Sequence, residues 1–358
     1  MYTILDYLKW RGDITFEERE LNNIDYLILS IISYFPFEKV IDGEKEVVTI
    51  SELYNKMVNA RVKETDFLLL DDAKLIRVLA NCNRYKDLKL SNFVSSMNID
   101  KEKQFAALVI HIPGNKIYVS YRGTDRSFVG WKEDFNMTYL DVVPSQVSAL
   151  NYLNNLKVNM FSKIYVGGHS KGGNLAIYAA LHCDNRIKNK IKRVLNYDGP
   201  GFLKDITDSE EYKVMASRIY TYIPQTSIIG RLLNCHDRYY VVKSNQKLVW
   251  QHDYYSWQIN VYDFVYDDDI DSNSVLMDNI ISEWLETISL EEREQFVDLV
   301  YKLLLTTNVS SFTELDLKGI KGFKQVFKML ENINKNDKKI INKVATSFFK
   351  ALKQNIFS

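Results

Sequence analysis

Histidine is scarce in this chain: five occur in 358 residues. Few imidazoles leave little material for a metal site, and none stands at the helical or loop spacing from another ligand that a metal centre requires. Cysteine is scarcer still, with Cys82, Cys183 and Cys235 far apart and odd in number. They form neither a disulfide framework nor a zinc set and read as thiols of a reducing compartment. Glycine and proline are also few, at 14 and 5, which excludes collagen-like and low-complexity disordered chains. Net charge is absent, because 46 Lys and Arg balance 46 Asp and Glu; nothing global directs the chain to nucleic acid. No apolar run approaches membrane-spanning length. The start, Met1 to Trp10, lacks a basic region, an apolar stretch and a small-residue cleavage site. A soluble, cytoplasmic protein is expected. Neither a Walker-type loop nor a dinucleotide fingerprint is present, and no cofactor is expected.

What the chain does have is core-forming material. Hydrophobic residues make up 46%, with 23 tyrosines and 18 phenylalanines, enough for one large domain with additions or for two domains. Up to about residue 95 the pattern reads as mostly helical: Leu27, Ile28, Ile31 and Ile32 recur at helical spacing, as do Leu68, Leu69, Leu75 and Val78. An alternating core then begins. Phe105 to Ile112 predicts a strand, Pro113-Gly114-Asn115 a hairpin turn, and Lys116 to Tyr121 the return strand. An aromatic-studded loop, Asp125 to Tyr139, and a helix from about Pro144 to Leu156 follow. Later strands are expected at Val194 to Tyr197, Ser217 to Ile223 and Arg238 to Val242. Strands alternating with helices mean a mostly parallel sheet covered on both faces.

Beyond the acidic run Asp267, Asp268, Asp269 and Asp271 the pattern is helical again, and Ser289-Leu290-Glu291-Glu292 makes a capping box. From Lys318 to Ser358 ten lysines meet only two acids, Glu331 and Asp337. There Phe323, Val326, Phe327 and Leu330 share one face, as do Ile341, Val344, Phe348 and Leu352. Such a basic amphipathic segment suits an anionic membrane surface or a cover over the core with its lysines solvated. The cover is the expectation, and membrane-surface contact stays open. The division expected is a helical N-terminal region over 1–98, an α/β core over 99–268 and a helical C-terminal region over 269–358.

The chemistry concentrates in Lys163-Ile164-Tyr165-Val166-Gly167-Gly168-His169-Ser170-Lys171-Gly172-Gly173-Asn174. A β-branched strand leads into Gly168-His169-Ser170-Lys171-Gly172, and an Ala-rich helix leaves it. G-x-S-x-G between strand and helix is the nucleophile elbow of an α/β-hydrolase, where only residues without a Cβ let the two elements approach. Serine needs a base, an acid to hold the base, and amides for the oxyanion. In this fold the chain order is Ser, then Asp or Glu, then His. His111 precedes the serine, His169 lies inside the elbow and His182 sits turns away along the helix. His252, after a late strand among aromatics, is the chosen base, with His236 as runner-up. Asp198, directly after a strand in Asn196-Tyr197-Asp198-Gly199, is the chosen acid. Its competing role is a plain Asp-Gly turn. Asp253 is a weaker option, since adjacent residues rarely aim at each other. The backbone amide of Lys171, at the helix N-terminus, and Thr124, in the strand-end loop Ser120 to Asp125, are the expected oxyanion donors. Arg122 reads equally as a structural ion pair.

Tyr121-Arg122-Gly123-Thr124, Trp131, Asp134, the elbow run and a late His252 together resemble the class-three (fungal-type) lipases over roughly residues 100–260. Ile4 to Asp13, Asp198-Gly199-Pro200-Gly201-Phe202 and Gln251-His252-Asp253 resemble more closely the Mbeg-like family, a mainly bacterial α/β-hydrolase family. The resemblance implies an α/β-hydrolase fold, esterase or lipase-type activity, Thr124 in the oxyanion hole and a lid carrying Phe128, Trp131, Phe135 and Met137. Two departures stand out. Lipases of that class usually carry the acid later, in a stretch that here corresponds to the carboxylate-free neighbourhood of Ser227. The residue after the nucleophile is often leucine and is Lys171 here, a charge that would repel acyl chains or attract an anionic substrate. The sequence therefore predicts a serine hydrolase of a small-molecule or lipid acyl ester. A catalytically inactive binding protein on the same fold and an acyltransferase using the same triad are the alternatives.

Overall fold

Pro113-Gly114-Asn115 reverses the chain where the sequence places a hairpin, with Gly114 at φ +81° and Asn115 at φ +58°, left-handed conformations that glycine and asparagine adopt most readily. Around that turn the computed structural model, which describes residues 1–234, 238–305, 311 and 334–357, builds a large mixed sheet. Its strands are β1 Val48–Thr49, β2 Lys89–Asn98, β3 Lys103–Ile112, β4 Lys116–Tyr121, β5 Lys163–His169, β6 Ile191–Tyr197, β7 Ile219–Pro224 and β8 Tyr239–Val242. A small hairpin, β9 Ile259–Asn260 with β10 Asp263–Phe264, precedes the final edge strand β11 Tyr266–Asp267. Strands β1 to β4 pair antiparallel, β4 to β8 pair parallel, and β11 closes the edge antiparallel to β8. The spatial order of the nine strands follows the chain. The protein has an α/β fold.

That order dictates where the helices go. Successive parallel crossovers that step in one direction and keep the right-handed sense must all lie on one face. The helices are α1 Ile4–Arg11, α2 Asn23–Ile31, α3 Ile50–Asn59, α4 Leu70–Leu79, α5 Phe128–Asn136, α6 Pro144–Asn154, α7 Lys171–His182, α8 Asn185–Lys188, α9 Glu210–Met215, α10 Ser272–Glu286, α11 Leu290–Leu305 and, at the end, α12 Lys335–Phe357. Crossover helices α6, α7 and α9 share one core with the sheet residues Phe105, Ala107, Val109, Val119 and Val166. The opposite face, carrying Leu108, Ile110, Ile112, Tyr118 and Tyr197, is covered by α1 to α4. Alternation along β3 thus serves two cores, and the N-terminal helices supply the layer that the crossovers leave out. Within α2, Ile24, Leu27, Ile28, Leu29 and Ile31 are fully buried, each worth about 1.5–3 kcal/mol of apolar transfer.

Two expectations change. Strand β2 takes Lys89–Asn98 into the sheet, where the helical reading ran on to the core; its burial pattern, interrupted between Ser91 and Val94 by a register shift, hides the period-two alternation. The segment Asp125 to Tyr139 is not a loop, for Ser127 caps the helix α5 by accepting from the Gly130 amide at 3.0 Å. The faces assigned to Phe323 through Leu330, and the runner-up base His236, lie outside the described residues. The capping box at Ser289 is present, each partner bonding the other's amide at 3.2 Å. Val344 and Ala351 of α12 are buried, and Trp284 of α10 meets Phe348 edge-on at 5.3 Å. Among the described residues no helix is long and apolar enough to cross a membrane.

A buried ion pair ties the N-terminal layer together. Both oxygens of Asp25 take a bond from Arg84, at 2.9 and 2.6 Å, and the Tyr7 and Tyr85 hydroxyls donate to the same carboxylate at 2.6 and 2.5 Å. Arg84 spends its remaining donors on the carbonyls of Ile14, Thr15, Arg19 and Glu20. Removing one member leaves a desolvated charge behind, so Asp25→Ala or Arg84→Met is expected to cost about 3–5 kcal/mol. Urea unfolding checks this, and an unshifted midpoint would show that the pair contributes nothing.

Candidate active site

Ser170 follows the last residue of β5 and precedes the first of α7, at φ +58°. A serine there is strained, and its surroundings enforce the conformation. A Cβ on Gly168 would lie 2.5 Å from the Tyr121 carbonyl oxygen, and one on Gly172 would lie 2.2 Å from the same atom. The end of β4 therefore presses against the elbow from both sides, and neither position admits a side chain. The Ser170 amide donates to the Tyr197 carbonyl at 2.9 Å, which fixes the bend to the end of β6.

Asp198 comes one residue after β6, itself at φ +53° and buried. Its Oδ2 accepts from His252 Nδ1 at 2.7 Å. Its Oδ1 accepts from the Ser227 hydroxyl at 2.5 Å and the Gly230 amide at 3.1 Å. The carboxylate-free stretch around Ser227 thus meets an acid that arrives from β6, and Ser227 supplies a donor to it. With Nδ1 committed to the carboxylate, the neutral His252 ring presents Nε2 as its basic nitrogen. Asp253, the alternative acid, instead accepts from the Tyr255 amide at 2.9 Å and caps the turn that follows.

His169 packs inside the elbow and also holds the base. Its Nε2 donates to the His252 carbonyl at 2.9 Å, and the two rings lie 4.4 Å apart. A carbonyl only accepts, so Nε2 carries the proton and Nδ1 is left to accept from the Tyr34 hydroxyl at 3.1 Å. Burial, with His252 beside it, holds this imidazole well below the usual histidine range, so it is neutral at pH 7. Beyond His252, Tyr254 and Tyr255 both donate to Asp72 Oδ1, at 2.8 and 2.9 Å. Tyr34 and Asp72 belong to the N-terminal layer, and sequence reasoning missed both. Asp72 also accepts from the Leu69 amide at 3.0 Å, so in the sequence it looks like an ordinary first-turn acid. The pair of tyrosines after His252 was the available signal.

The oxyanion side departs from one expectation. Lys171 follows Ser170, and a Cβ on Gly123, the neighbour of Thr124, would lie 3.1 Å from the Ser170 Cβ, but the Lys171 ammonium is bound within the protein. It is buried, with Nζ bonded to Glu133 Oε2 at 2.9 Å and to the Gln104 carbonyl and side chain at 3.1 and 2.9 Å. Burial draws that ammonium down, but Glu133 and Asp134 more than offset it and leave it above the usual lysine range. Its backbone amide opens α7, at the positive end of the helix dipole. The Thr124 hydroxyl donates to Asp134 at 2.6 Å, and burial pushes the Asp134 carboxyl up to about 6. Arg122 pairs with Glu38 at 2.6 Å, the structural role.

Glu133 also accepts from the amides of Gln104 and Ser145, at 2.9 and 2.8 Å, so α5 is fastened to β3, α6 and α7. The expected lid residues divide accordingly. Trp131, Phe135 and Met137 line a cavity of about 320 Å³ that also takes in Ser170, Pro200, Leu232 and Leu285. Phe128 does not; it is fully buried against Tyr301 and Leu304 of α11, a core residue and not a lid residue. Among the described residues no three His, Cys, Asp or Glu side chains cluster as metal ligands would.

The family model described as Mbeg1-like matches residues 79–302. No curated protein matches the chain. Among solved structures, a crystal structure of M37 lipase is similar at 18% identity and a TM-score of 0.37, over 58% of this chain and 68% of that one.

The clamp behind His252 carries a pH signature. Burial pushes the Asp72 carboxyl from 3.8 up to about 6, despite bonds from Leu69, Tyr254 and Tyr255 that lower it. The folded state then holds a proton that the unfolded state has released, so this group's contribution falls as pH rises from about 4 to about 6 and is flat above. Asp72→Asn removes that term. Relative to wild type, the variant should gain stability on going from pH 4.5 to pH 7 in urea titrations; a constant difference would contradict the assignment.

Proposed function

This chain belongs to the Mbeg1-like family, and from that footing we propose that it is a serine hydrolase of carboxylic esters, built on the α/β-hydrolase fold. The observation that carries the reading is the 2.7 Å bond from His252 Nδ1 to Asp198, made by a histidine whose backbone is held from inside the elbow that bears Ser170. Ser170 Oγ attacks the ester carbonyl carbon while His252 Nε2 takes its proton, and Asp198 stabilises the imidazolium that forms. The oxyanion is received by the amides of Lys171 and Thr124. Collapse of the tetrahedral intermediate expels the alcohol, which takes the proton from His252 and leaves an acyl-enzyme. Water, activated by the same histidine, then releases the acid and restores Ser170.

Both grounds for a catalytically inactive protein weaken on this reading. The acid arrives from β6 and is steadied by Ser227, so the stretch around Ser227 has no need of a carboxylate. The charge of Lys171 is consumed by Glu133 and does not oppose an acyl chain. An apolar wall of Trp131, Phe135, Leu232 and Leu285 next to Ser170 suits a hydrophobic acyl or alkyl group.

A fluorophosphonate probe should label the purified protein at Ser170, and Ser170→Ala should abolish labelling. His252→Ala and Asp198→Asn are each expected to lower kcat on short acyl esters by about 10⁴. A folded protein that neither reacts with the probe nor cleaves an ester would overturn the proposal.

A further inference from the structure

Next to the cavity at Ser170 lies a second of about 350 Å³, enclosed between the end of α5 and helices α10, α11 and α12. Phe135, Thr138, Leu232 and Leu285 line both, so the two volumes share a wall, and Ser170 lines the first of them. The second is walled chiefly by Met277, Ile281, Trp284, Phe296, Val297 and Phe348. Its polar groups are turned into the protein. Trp284 Nε1 donates to the Val344 carbonyl at 3.1 Å, and the Arg293 guanidinium bonds the carbonyls of Ile288, Thr138 and Leu285. The charged residue of that lining is Arg293, whose guanidinium bonds main-chain carbonyls, whereas Asp134, Lys171 and Ser170 line the first cavity.

Protein interiors pack close to crystal density, and cavities well under this size, when lined by apolar groups, take up hydrocarbon. The helices around the cavity are otherwise able to pack: Ile280, Ile288, Val297 and Leu299 are buried among them. Yet Met277, Ile281, Leu285, Phe296 and Phe348 are only partly buried, and together they line one cavity.

We propose that the second cavity is the acyl-chain site: the carbonyl end of the ester sits at Ser170, and the chain passes Leu232 and Leu285 to lie between α10, α11 and α12. This rests on the serine-hydrolase reading and adds to it a substrate class, esters of medium-length fatty acids. At about 30 Å³ per methylene, close to the share of a water molecule, a cavity of this size takes about ten carbons beyond the carbonyl end. The C-terminal helices then have a chemical task. They form the wall that measures chain length, and α5, fastened by Glu133, is the fixed side of the entrance.

The test uses the full chain and p-nitrophenyl esters from acetyl to palmitoyl. Each methylene that enters the cavity should raise kcat/KM about fourfold, up to a plateau near dodecanoyl. Ile281→Trp, which fills the far cavity, should lower the ratio of dodecanoyl to butyryl activity at least tenfold. A second measurement avoids both the variant and turnover, so misfolding of Ile281→Trp does not decide the outcome. Ser170→Ala protein should bind a polarity-sensitive fluorescent undecanoate and release it to dodecanoate but not to butanoate. A flat chain-length profile, an unchanged ratio in a folded Ile281→Trp protein, or absence of probe binding would overturn the proposal. Probe binding without turnover of any ester would support the chain site and overturn the hydrolase reading instead.

Discussion

The carbonyl of Tyr121 decides more than any other single atom in this molecule. It stands where a Cβ on Gly168 or on Gly172 would go, so β4, β5 and α7 can meet at one point only because both positions are glycine. That contact forces Ser170 into a left-handed conformation and puts its side chain beyond the strand ends, where the dipole of α7 and the ends of β4 and β6 converge. A larger residue at either position would push the helix off the strand and dissolve the arrangement, whatever Asp198 and His252 did. The strain at Ser170 is sustained by the buried sheet on both sides of it.

The additions on either side of the core are easiest to understand from this point. Crossovers that all run one way leave a sheet face bare, and α1 to α4 cover it. That layer does a second thing: Tyr34 reaches His169, and Asp72 gathers Tyr254 and Tyr255, so the segment carrying His252 is held from the N-terminal side. From the other side, Ser274 of α10 donates to the Ser227 carbonyl at 2.6 Å, and Ser227 donates to Asp198. His252 and Asp198 are therefore braced by opposite ends of the chain. Loosening either layer should reach the His252–Asp198 bond before it reaches the sheet.

Local rules made the elbow, the turn at Gly114, the parallel strands and the capping box at Ser289 legible, because glycine placement, alternation and capping are read from a few neighbouring residues. The pairing of Asp198 with His252 was also reachable, through chain order and strand-end position. What stayed hidden depended on packing between distant segments. Strand β2 was obscured by its bulge and by alternate serines and asparagines. Helix α5 reads as a loop in the sequence, and the family resemblance implies a lid there. Only the arrival of α11 shows that Phe128 is core, and only Lys171 and Gln104 show that Glu133 is an anchor. Lys171 itself was misread for the same reason: a lysine after a nucleophile looks exposed until its partner on another helix is known.

That buried pair bears on how the site meets its substrate. Burying Lys171 and Glu133 is costly unless every donor and acceptor is used, and here the carboxylate takes two backbone amides besides the ammonium while the ammonium takes two oxygens of Gln104. Such a network has one good geometry, so it fixes the angle of α5 against α7 and, with it, the positions of Trp131 and Phe135 over Ser170. Access by a swing of α5 would break the whole network at once. Helix α10 is tied to the site differently, by Ser274 to the Ser227 carbonyl and by Asp278 to Arg231, while its residues on the neighbouring cavity are apolar. The helix that the resemblance implies as a lid is therefore the one that this network holds in place.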